Sequence, residues 1–283
     1  MIPTISCVIP VYNGKSHLAR AVASVLAQRP DVQIVLVDDC STDGSRELAL
    51  DMARSDPRII AVSLGKNRGQ GYARNVGVAA SDAPYVTFLD QDDEHAPAWY
   101  DHAIEVLQGN PRFAAVRGEI QLMDVPDDLN VGPTDPRRTM MFNSTVWNMV
   151  MHKVIYQVLG GCPSSPAFRT QQGAEDACLV VSLKQHFEVA KTSQLASRHY
   201  VNIGGATAYF LRRTRVVRGR IEFTEMTDKE KNGTLEKAFS EFQADASTNV
   251  SVLRRTLKHR SRGIRNVMAG IAFKLLGTFS GRR

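Results

Sequence analysis

Positions 5–11 are apolar almost without a break, Ile-Ser-Cys-Val-Ile-Pro-Val, and the run stops at the turn-forming Tyr12-Asn13-Gly14. A short apolar run bounded by a turn is the pattern of a buried strand. Beyond the turn the spacing changes. Leu18, Ala21, Val22 and Val25 recur at helical spacing, and Pro30 closes the segment. Residues 33–37 return to a β-rich run, Ile34-Val35-Leu36-Val37, which ends at Asp38-Asp39. Ser41, Thr42 and Asp43 then offer N-caps for a helix carrying Leu48 and Met52. The same alternation predicts strands over 59–64, 85–89 and 113–123, and helices over 72–80 and 99–107. Strand and helix in turn, with short links, is the sequence form of a parallel α/β sheet.

The second half is less regular. Residues 125–138 are rich in Pro and Asp and read as a surface loop. Residues 140–159 are apolar with helical spacing, and 160–169 read as a loop leading into a short strand. A helix is expected over 173–187, opening with Glu175-Asp176, and a strand over 196–203. Two further helices are expected over 223–242 and 250–279, with the arginine-rich residues 212–220 between them and the core. No internal repeat is evident.

Ligands of such sheets bind at the C-terminal ends of strands. Three predicted strand ends carry acids or amides: Tyr12-Asn13, Asp38-Asp39 and Asp90-Gln91-Asp92-Asp93. Three carboxylates in four residues repel one another unless a cation or donor groups offset them. Mg²⁺ and Mn²⁺ suit that role, because they take oxygen ligands, often one or two carboxylates plus substrate phosphates. The same acids also suit a solvated turn that opens a helix. Taken alone, the run does not choose. Its place after Val86-Thr87-Phe88-Leu89, with Asp38-Asp39 at another strand end, favours the metal.

Composition bounds the rest. The 283 residues are 43% hydrophobic and 23% charged, which suits a packed core in one large domain or a domain with an appendage. The cysteines, Cys7, Cys40, Cys162 and Cys178, form no Cys-x-x-Cys pair or zinc-like spacing and read as small buried hydrophobes in a reducing compartment. The net charge of +6 belongs to the tail: nine Lys or Arg and no acid follow Asp245, which leaves about −3 for the first 245 residues. Val250, Leu253, Leu257, Ile264, Val267, Ile271 and Leu275 form one helical stripe there, with basic residues on the other faces. Such a helix fits an anionic membrane surface through residues 246–283, or packs on its own domain or a partner. Nucleic acid is not an expected partner, because the tail lacks interleaved aromatics and the core is acidic. Met1-Ile2-Pro3 lacks the basic start of a signal peptide, and no stretch reaches the roughly 20 apolar residues of a spanning helix. The expected location is the cytoplasm, peripheral on the inner face of the plasma membrane.

Five motifs stand in order over about the first 100 residues: Ile9-Pro10-Val11-Tyr12-Asn13-Gly14, Val37-Asp38-Asp39-Cys40-Ser41-Thr42-Asp43, Asn67-Arg68-Gly69, Ala73-Arg74-Asn75-Val76-Gly77 and Phe88-Leu89-Asp90-Gln91-Asp92-Asp93. In order and spacing they resemble the motifs of the family 2 inverting glycosyltransferases. The resemblance implies a GT-A fold, a mostly parallel central sheet flanked by helices, over residues 1–210. Residues 1–124 would bind the nucleotide sugar, 125–210 the acceptor, and 211–283 would be a helical, basic extension. It further implies that Pro10 and Tyr12 border the nucleotide base and that Asp39, with Asp38, bonds the uracil or ribose. Arg68 and Arg74 would lie near the base and diphosphate. Asp92 would ligate Mn²⁺ or Mg²⁺, with Asp90 near the ribose or the metal, and Asp93 only capping the next helix. Asp176, or else Glu175, would be the base that takes the acceptor hydroxyl's proton. The bare alternatives are an ion pair for Arg74 and helix N-terminal charge for Glu175-Asp176.

The implied reaction moves a hexose-type sugar from a nucleotide-diphosphate donor, UDP by expectation, to a lipid-linked or polysaccharide hydroxyl. A homodimer is admitted. The chain departs from the family where an Arg-x-His-x-Gly-Ser stretch is common: here Arg198-His199-Tyr200-Val201-Asn202-Ile203 puts the histidine at another offset, which reads as a strand or solvent-facing residue, with a metal ligand as the alternative. Arg169 to Gln172 also replace a longer apolar lead before the base. A nucleotidyltransferase would need a Gly-rich basic loop after the first strand, which Tyr12-Asn13-Gly14-Lys15 does not supply. A dehydrogenase would need a third glycine after Gly69-Gln70-Gly71. A membrane-recruited, non-catalytic scaffold would not need the charge burden of Asp39, Asp92 and Glu175-Asp176.

Overall fold

The computed structural model describes residues 2–169, 174–224 and 233–259. The predicted alternation is present in the first half: β1 (Ile5–Val11), α1 (Lys15–Leu26), β2 (Val32–Asp38), α2 (Ser45–Ser55), β3 (Ile59–Ser63), α3 (Gln70–Ala80) and β4 (Tyr85–Phe88). There follow β5 (Glu94–His95), α4 (Trp99–Gly109), β6 (Phe113–Met123), α5 (Pro136–Ser144), β7 (Met149–His152) and α6 (Lys153–Val158). The chain continues through α7 (Ala174–His186), β8 (Glu188–Tyr200), α8 (Ala206–Arg212), β9 (Thr214–Val217), β10 (Arg220–Phe223) and α9 (Thr234–His259).

Among the described residues, eight strands form one sheet in the order β3-β2-β1-β4-β7-β6-β8-β5, and β9 and β10 form a separate hairpin. The β3-β2-β1-β4 part is parallel. β7 runs antiparallel to β4 and β6, β8 is parallel to β6, and β5 is antiparallel to β8.

Side chains alternate across each strand, and here both faces are buried. Ile5, Cys7, Ile9 and Val11 of β1, with Ile34 and Leu36 of β2, pack under Leu18, Ala21, Val22 and Val25 of α1. Val8, Val35 and Val37 point the other way, to Ala73 and Val78 of α3 and on to Ile155 of α6 and Leu179 of α7. Ala246 and Val250 of α9 are buried in that same second core. All four cysteines are free, and Cys7, Cys162 and Cys178 are buried. Among the described residues no helix is long and apolar enough to cross a membrane.

Several expectations need correction. The helix predicted over 140–159 is broken by β7, whose four residues are buried between β4 and β6. Periodicity cannot separate a short apolar run in a helix from a fully buried strand. The N-cap of α2 is Gly44, not Ser41, Thr42 or Asp43; Asp43 accepts instead from the Ser45 N–H at 3.0 Å. The strand expected over 196–203 begins at Glu188. Residues 160–169 lead to a short 3₁₀ turn, Pro166–Phe168, rather than a strand. Phe223 lies on β10, and a single helix covers Thr234–His259 where two were expected. Ile264, Val267, Ile271 and Leu275 of the tail stripe lie outside the described residues. Val250 and Leu253, its first members, pack on the chain's own core rather than standing free.

Candidate active site

The C-terminal ends of β1, β2 and β4 open into a crevice of about 320 Å³, lined by Pro10, Tyr12, Asp39, Gln70, Asp90 and Asp92 among others. Each wall is pinned by local bonds. The Gln91 side-chain amide pairs with the Tyr12 backbone as a strand would: Tyr12 N–H donates to Oε1 and Nε2 donates to the Tyr12 carbonyl, both at 2.9 Å. Gly14 makes room for that amide, since a Cβ there would lie 2.1 Å from Gln91 Cδ. Asp39 accepts from the backbone N–H groups of Arg68 and Gly69, each at 2.7 Å, and so holds the loop before α3 against β2.

Asp38 does not join this crevice. It is 1% exposed and accepts from Arg46 Nε at 2.9 Å and Ser41 N–H at 3.1 Å, a bond set that ties β2 to α2. Arg68 stacks over Tyr72 at 4.8 Å and lines a side cavity of about 200 Å³ with Arg169 and Glu175. Arg74, expected near the diphosphate, is 1% exposed and faces inward. Its guanidinium bonds three carboxylates: Asp90 at 3.0 Å, Glu175 at 3.2 Å, and Asp176. Gly71 allows this approach, because a Cβ there would lie 2.4 Å from the Pro163 carbonyl and 3.5 Å from Glu175 Cγ. Gln70 Nε2 donates to the same Asp90 oxygen at 2.5 Å.

A second cavity, about 380 Å³, shares Gln70, Asp90 and Asp92 with the crevice. Glu175 and Asp176 at the start of α7, His199 near the end of β8, and apolar side chains including Met140, Phe142, Trp147 and Phe210 complete its wall. Asp90 and Asp92 at a strand end and Glu175 and Asp176 at a helix start therefore line two adjoining cavities. His199 does lie on a strand, but it is not solvent-facing. It stacks on Trp147 at 4.9 Å between ring centroids, its Nδ1 lies 2.7 Å from Asp93 Oδ2, and its Nε2 lies 2.8 Å from the Thr207 hydroxyl. Asp93 caps no helix. It is fully buried, bonded to His199 and to the Tyr200 N–H at 3.0 Å. Arg20 fixes the same loop from α1: it donates to the Asp92 carbonyl, pairs with Glu94 at 3.3 Å and lies 3.6 Å over the Tyr200 ring.

Burial and mutual repulsion shape the charges. Burial pushes the Asp92 carboxyl up to about 6, and Asp93 and Asp90 add to the rise. Burial raises Asp176 to about 8; Arg74 pulls it back, and Glu175 and Asp90 push it further. Burial opposes the charge on His199, yet Asp93 raises its imidazole above the ordinary value.

These groups fit an open cation site. Among the described residues no three Asp, Glu, His or Cys side chains are grouped to hold a metal by themselves. Mg²⁺ needs only one or two carboxylates when substrate phosphates complete its shell. Asp92 lines both cavities, is repelled by Asp93 and Asp90 with only partial relief from His199, and has no side-chain donor among the described residues; Asp90 is already held by Arg74 and Gln70. A cation would offset the charge at Asp92 first. The sequence alone does not point to Arg20, Gln70 or Asp93's true partner, since the 20 to 106 positions between partners leave no local signal.

Comparison with known proteins places this geometry. The family model for glycosyl transferase family 2 matches residues 6–165. The succinoglycan biosynthesis protein ExoO of Rhizobium meliloti (strain 1021) is 36% identical over 143 residues, 50% of this chain and 38% of that protein. The putative teichuronic acid biosynthesis glycosyltransferase TuaG of Bacillus subtilis (strain 168) is 40% identical over 93 residues, 32% of this chain and 37% of that protein. The match thus spans under two-fifths of the length of either relative. Among solved structures, S. aureus TarS in complex with UDP-GlcNAc superposes with a TM-score of 0.62 at 14% identity, covering 97% of this chain and 79% of that one. The mannosyltransferase PcManGT from Pyrobaculum calidifontis, in complex with GDP-Man and Mn²⁺, gives 0.55 at 16% identity, covering 98% and 79%. At such identities the two structures speak for the fold alone. With the family model matched over more than half of its residues, the chain belongs to glycosyl transferase family 2 and has a GT-A fold.

Proposed function

We propose that the chain is an inverting hexosyltransferase of polysaccharide biosynthesis, using a nucleotide-diphosphate sugar, UDP-linked by preference, and a lipid-linked or glycan hydroxyl acceptor. The observation that carries this reading is the pair of adjoining cavities. One is lined by Pro10, Tyr12 and Asp39, the other by Glu175 and Asp176, and Asp90 and Asp92 line both. Residues 1–124 supply the donor side and 125–210 most of the acceptor side. The complexes with UDP-GlcNAc and GDP-Man named above lend support for a nucleotide sugar in the same fold.

In this reading Tyr12 and Pro10 border the base, and Asp39 meets the base or ribose with whatever capacity its two backbone bonds leave. Arg68 stands at the edge of the donor space. Asp92, with Asp90 beside it, would hold Mn²⁺ or Mg²⁺, which when bound supplies positive charge against the negative charge gathering on the departing diphosphate. Asp176 takes the proton from the acceptor hydroxyl as that oxygen attacks the anomeric carbon from the face opposite the leaving group. A carboxylate raised toward neutral pH is suited to general base work. Arg74 is a positioning residue: it holds Asp176, Glu175 and Asp90 in one register without reaching the reactants. The basic residues after 245 are read as a peripheral attachment to an anionic membrane.

A thermal-shift screen of nucleotide sugars with and without Mn²⁺ tests the donor side, because a ligand of the folded state raises its stability. A Mn²⁺-dependent shift with a UDP-sugar is expected. Shifts with no nucleotide sugar under either condition would remove the donor reading and leave a non-catalytic scaffold of the same fold.

A further inference from the structure

Five arginines fall within residues 212–220, and Glu222 is the one acid in the stretch up to Phe223. Arg213 is buried and lines the cavity of Asp176; the transfer reaction uses none of the other four. The segment closes α8 and forms the β9–β10 hairpin, whose turn residues Arg218 and Gly219 take the positive φ values, 51° and 75°, favoured in two-residue hairpin loops. Cross-strand partners share a face and neighbours alternate. The register, with Thr214 opposite Phe223, Val216 opposite Ile221 and Arg215 opposite Glu222, therefore sorts the hairpin into an apolar face and a basic one.

The apolar face is only partly covered by the domain. Phe223 packs edge-on against Phe210 at 6.2 Å and lines the cavity that holds Asp176, yet it is 45% exposed. Met140 of α5 lines the same cavity and is 44% exposed, so the mouth of that cavity has an apolar rim. Val216 shares the hairpin face of Phe223 and is 37% exposed, and Ile203, whose carbonyl accepts from Arg212 at 3.2 Å, is 63% exposed. Single exposed apolar side chains are ordinary; here Met140 and Phe223 line one opening, while Val216 follows Arg215 in the chain and Ile203 is bonded to Arg212. Arg212 meets Asp128 at 3.5 Å and Arg215 meets Glu222 at 3.2 Å, while Arg218 and Arg220 have no acidic partner among the described residues.

Apolar side chains flanked by arginines match the boundary between acyl chains and anionic headgroups. A soluble acidic glycan would engage the arginines and leave Val216 and Ile203 without a role. A second copy of the chain, brought face to face, would set the exposed arginines of one hairpin against those of the other. We propose that the β9–β10 hairpin and the Met140–Phe223 rim dock on an anionic lipid bilayer, so that the cavity of Asp176 opens onto the membrane. That a lipid-linked acceptor enters there rests on the function proposed above; the docking does not.

The test is co-sedimentation of the full chain with vesicles of phosphatidylcholine alone or mixed with phosphatidylglycerol, with no donor or acceptor present. Failure of docking and failure of the acceptor reading are thereby separate results. Arg218→Gln/Arg220→Gln should weaken partition onto the anionic vesicles about 30-fold, at about 1 kcal/mol for each arginine near the surface. Val216→Ser/Ile203→Ser should weaken it several-fold, with an unchanged melting temperature in both variants. Partition unaltered in both variants overturns the proposal. So does loss, in the arginine variant, of binding to soluble polygalacturonate or of self-association while vesicle binding persists.

Discussion

At Arg74 one guanidinium faces the carboxylates of Asp90, Glu175 and Asp176 in a space nearly closed to water. With all four groups ionised the cluster would be doubly negative, and burial makes that costly. The structure relieves it by holding Asp176 up at about 8, so that a proton resides there near neutrality. Removing the cation should be severe: Arg74→Ala leaves buried charge uncompensated and is expected to cost about 3–5 kcal/mol in denaturant unfolding. Arg74→Lys should recover much of the stability and less of the transfer rate, because a single ammonium cannot span three carboxylates as a planar guanidinium does. The raised Asp176 has a pH signature with a definite sign. The folded chain keeps a proton that the unfolded chain, with an ordinary carboxyl near 3.8, releases. Stability should therefore fall as pH rises from about 4 to about 8, and Asp176→Asn should flatten that slope in pH-resolved melting curves. Since the base acts deprotonated, transfer should climb over the upper part of the window, and Asp176→Asn should abolish transfer with donor binding intact. Asp92→Ala should remove stimulation by Mn²⁺ or Mg²⁺; equal metal response in the variant would refute the assignment of Asp92. These acids were legible because charge at a strand end or helix start is a local signal. Arg74's partners on α7 were not, since they lie 101 and 102 positions away.

The elements show the same division between local and distant information. β1, β2, β4 and α1 were readable because strands buried on both faces give unbroken apolar runs and α1 gives one clean stripe. β7 was not, because its run Met149-Val150-Met151 continues the apolar stretch before α6 and only its place between β4 and β6 makes it a strand. β5, two residues long, has no period to detect. Helix α3 carries the least visible device. Gly71 sits against the Pro163 carbonyl, and Gly77 sits against Val8, where a Cβ would come within 2.3 Å of Cγ1. The two glycines let α3 lie close to β1 and to the loop before α7, which is what brings Arg74 to Asp176. Gly71→Ala meets rigid backbone and should push α3 away, costing about 1–3 kcal/mol by overpacking. Its transfer rate should fall further than stability alone explains. Chemical denaturation and kinetics on the same preparation check this; a stable variant with full activity would show that α3 need not sit so close.

On the scale of the whole chain, charge and packing draw different boundaries. By charge, the extension begins after Asp245, where the last acid stands. By packing it does not, since Ala246 and Val250 of α9 are buried with Leu179 and Ile155 in the core that backs the site. Cutting at 246 would strip those side chains from the core and confuse a loss of attachment with a loss of fold. Val250 alone, fully buried, is worth about 1.5–3 kcal/mol. The informative cut follows His259, the last residue of α9, and takes away six of the nine basic residues. A chain ending there should keep its melting temperature and its nucleotide-sugar shift. Its partition onto anionic vesicles should drop by about tenfold or more, at roughly 1 kcal/mol for each charge that had been near the surface. The part of that partition lost with the tail should also weaken with salt in the full chain, because exposed charges are screened beyond about 8 Å at physiological ionic strength. If the shortened chain and the full chain partition alike, the tail's basicity serves no membrane, and any attachment falls to the hairpin at the cavity mouth.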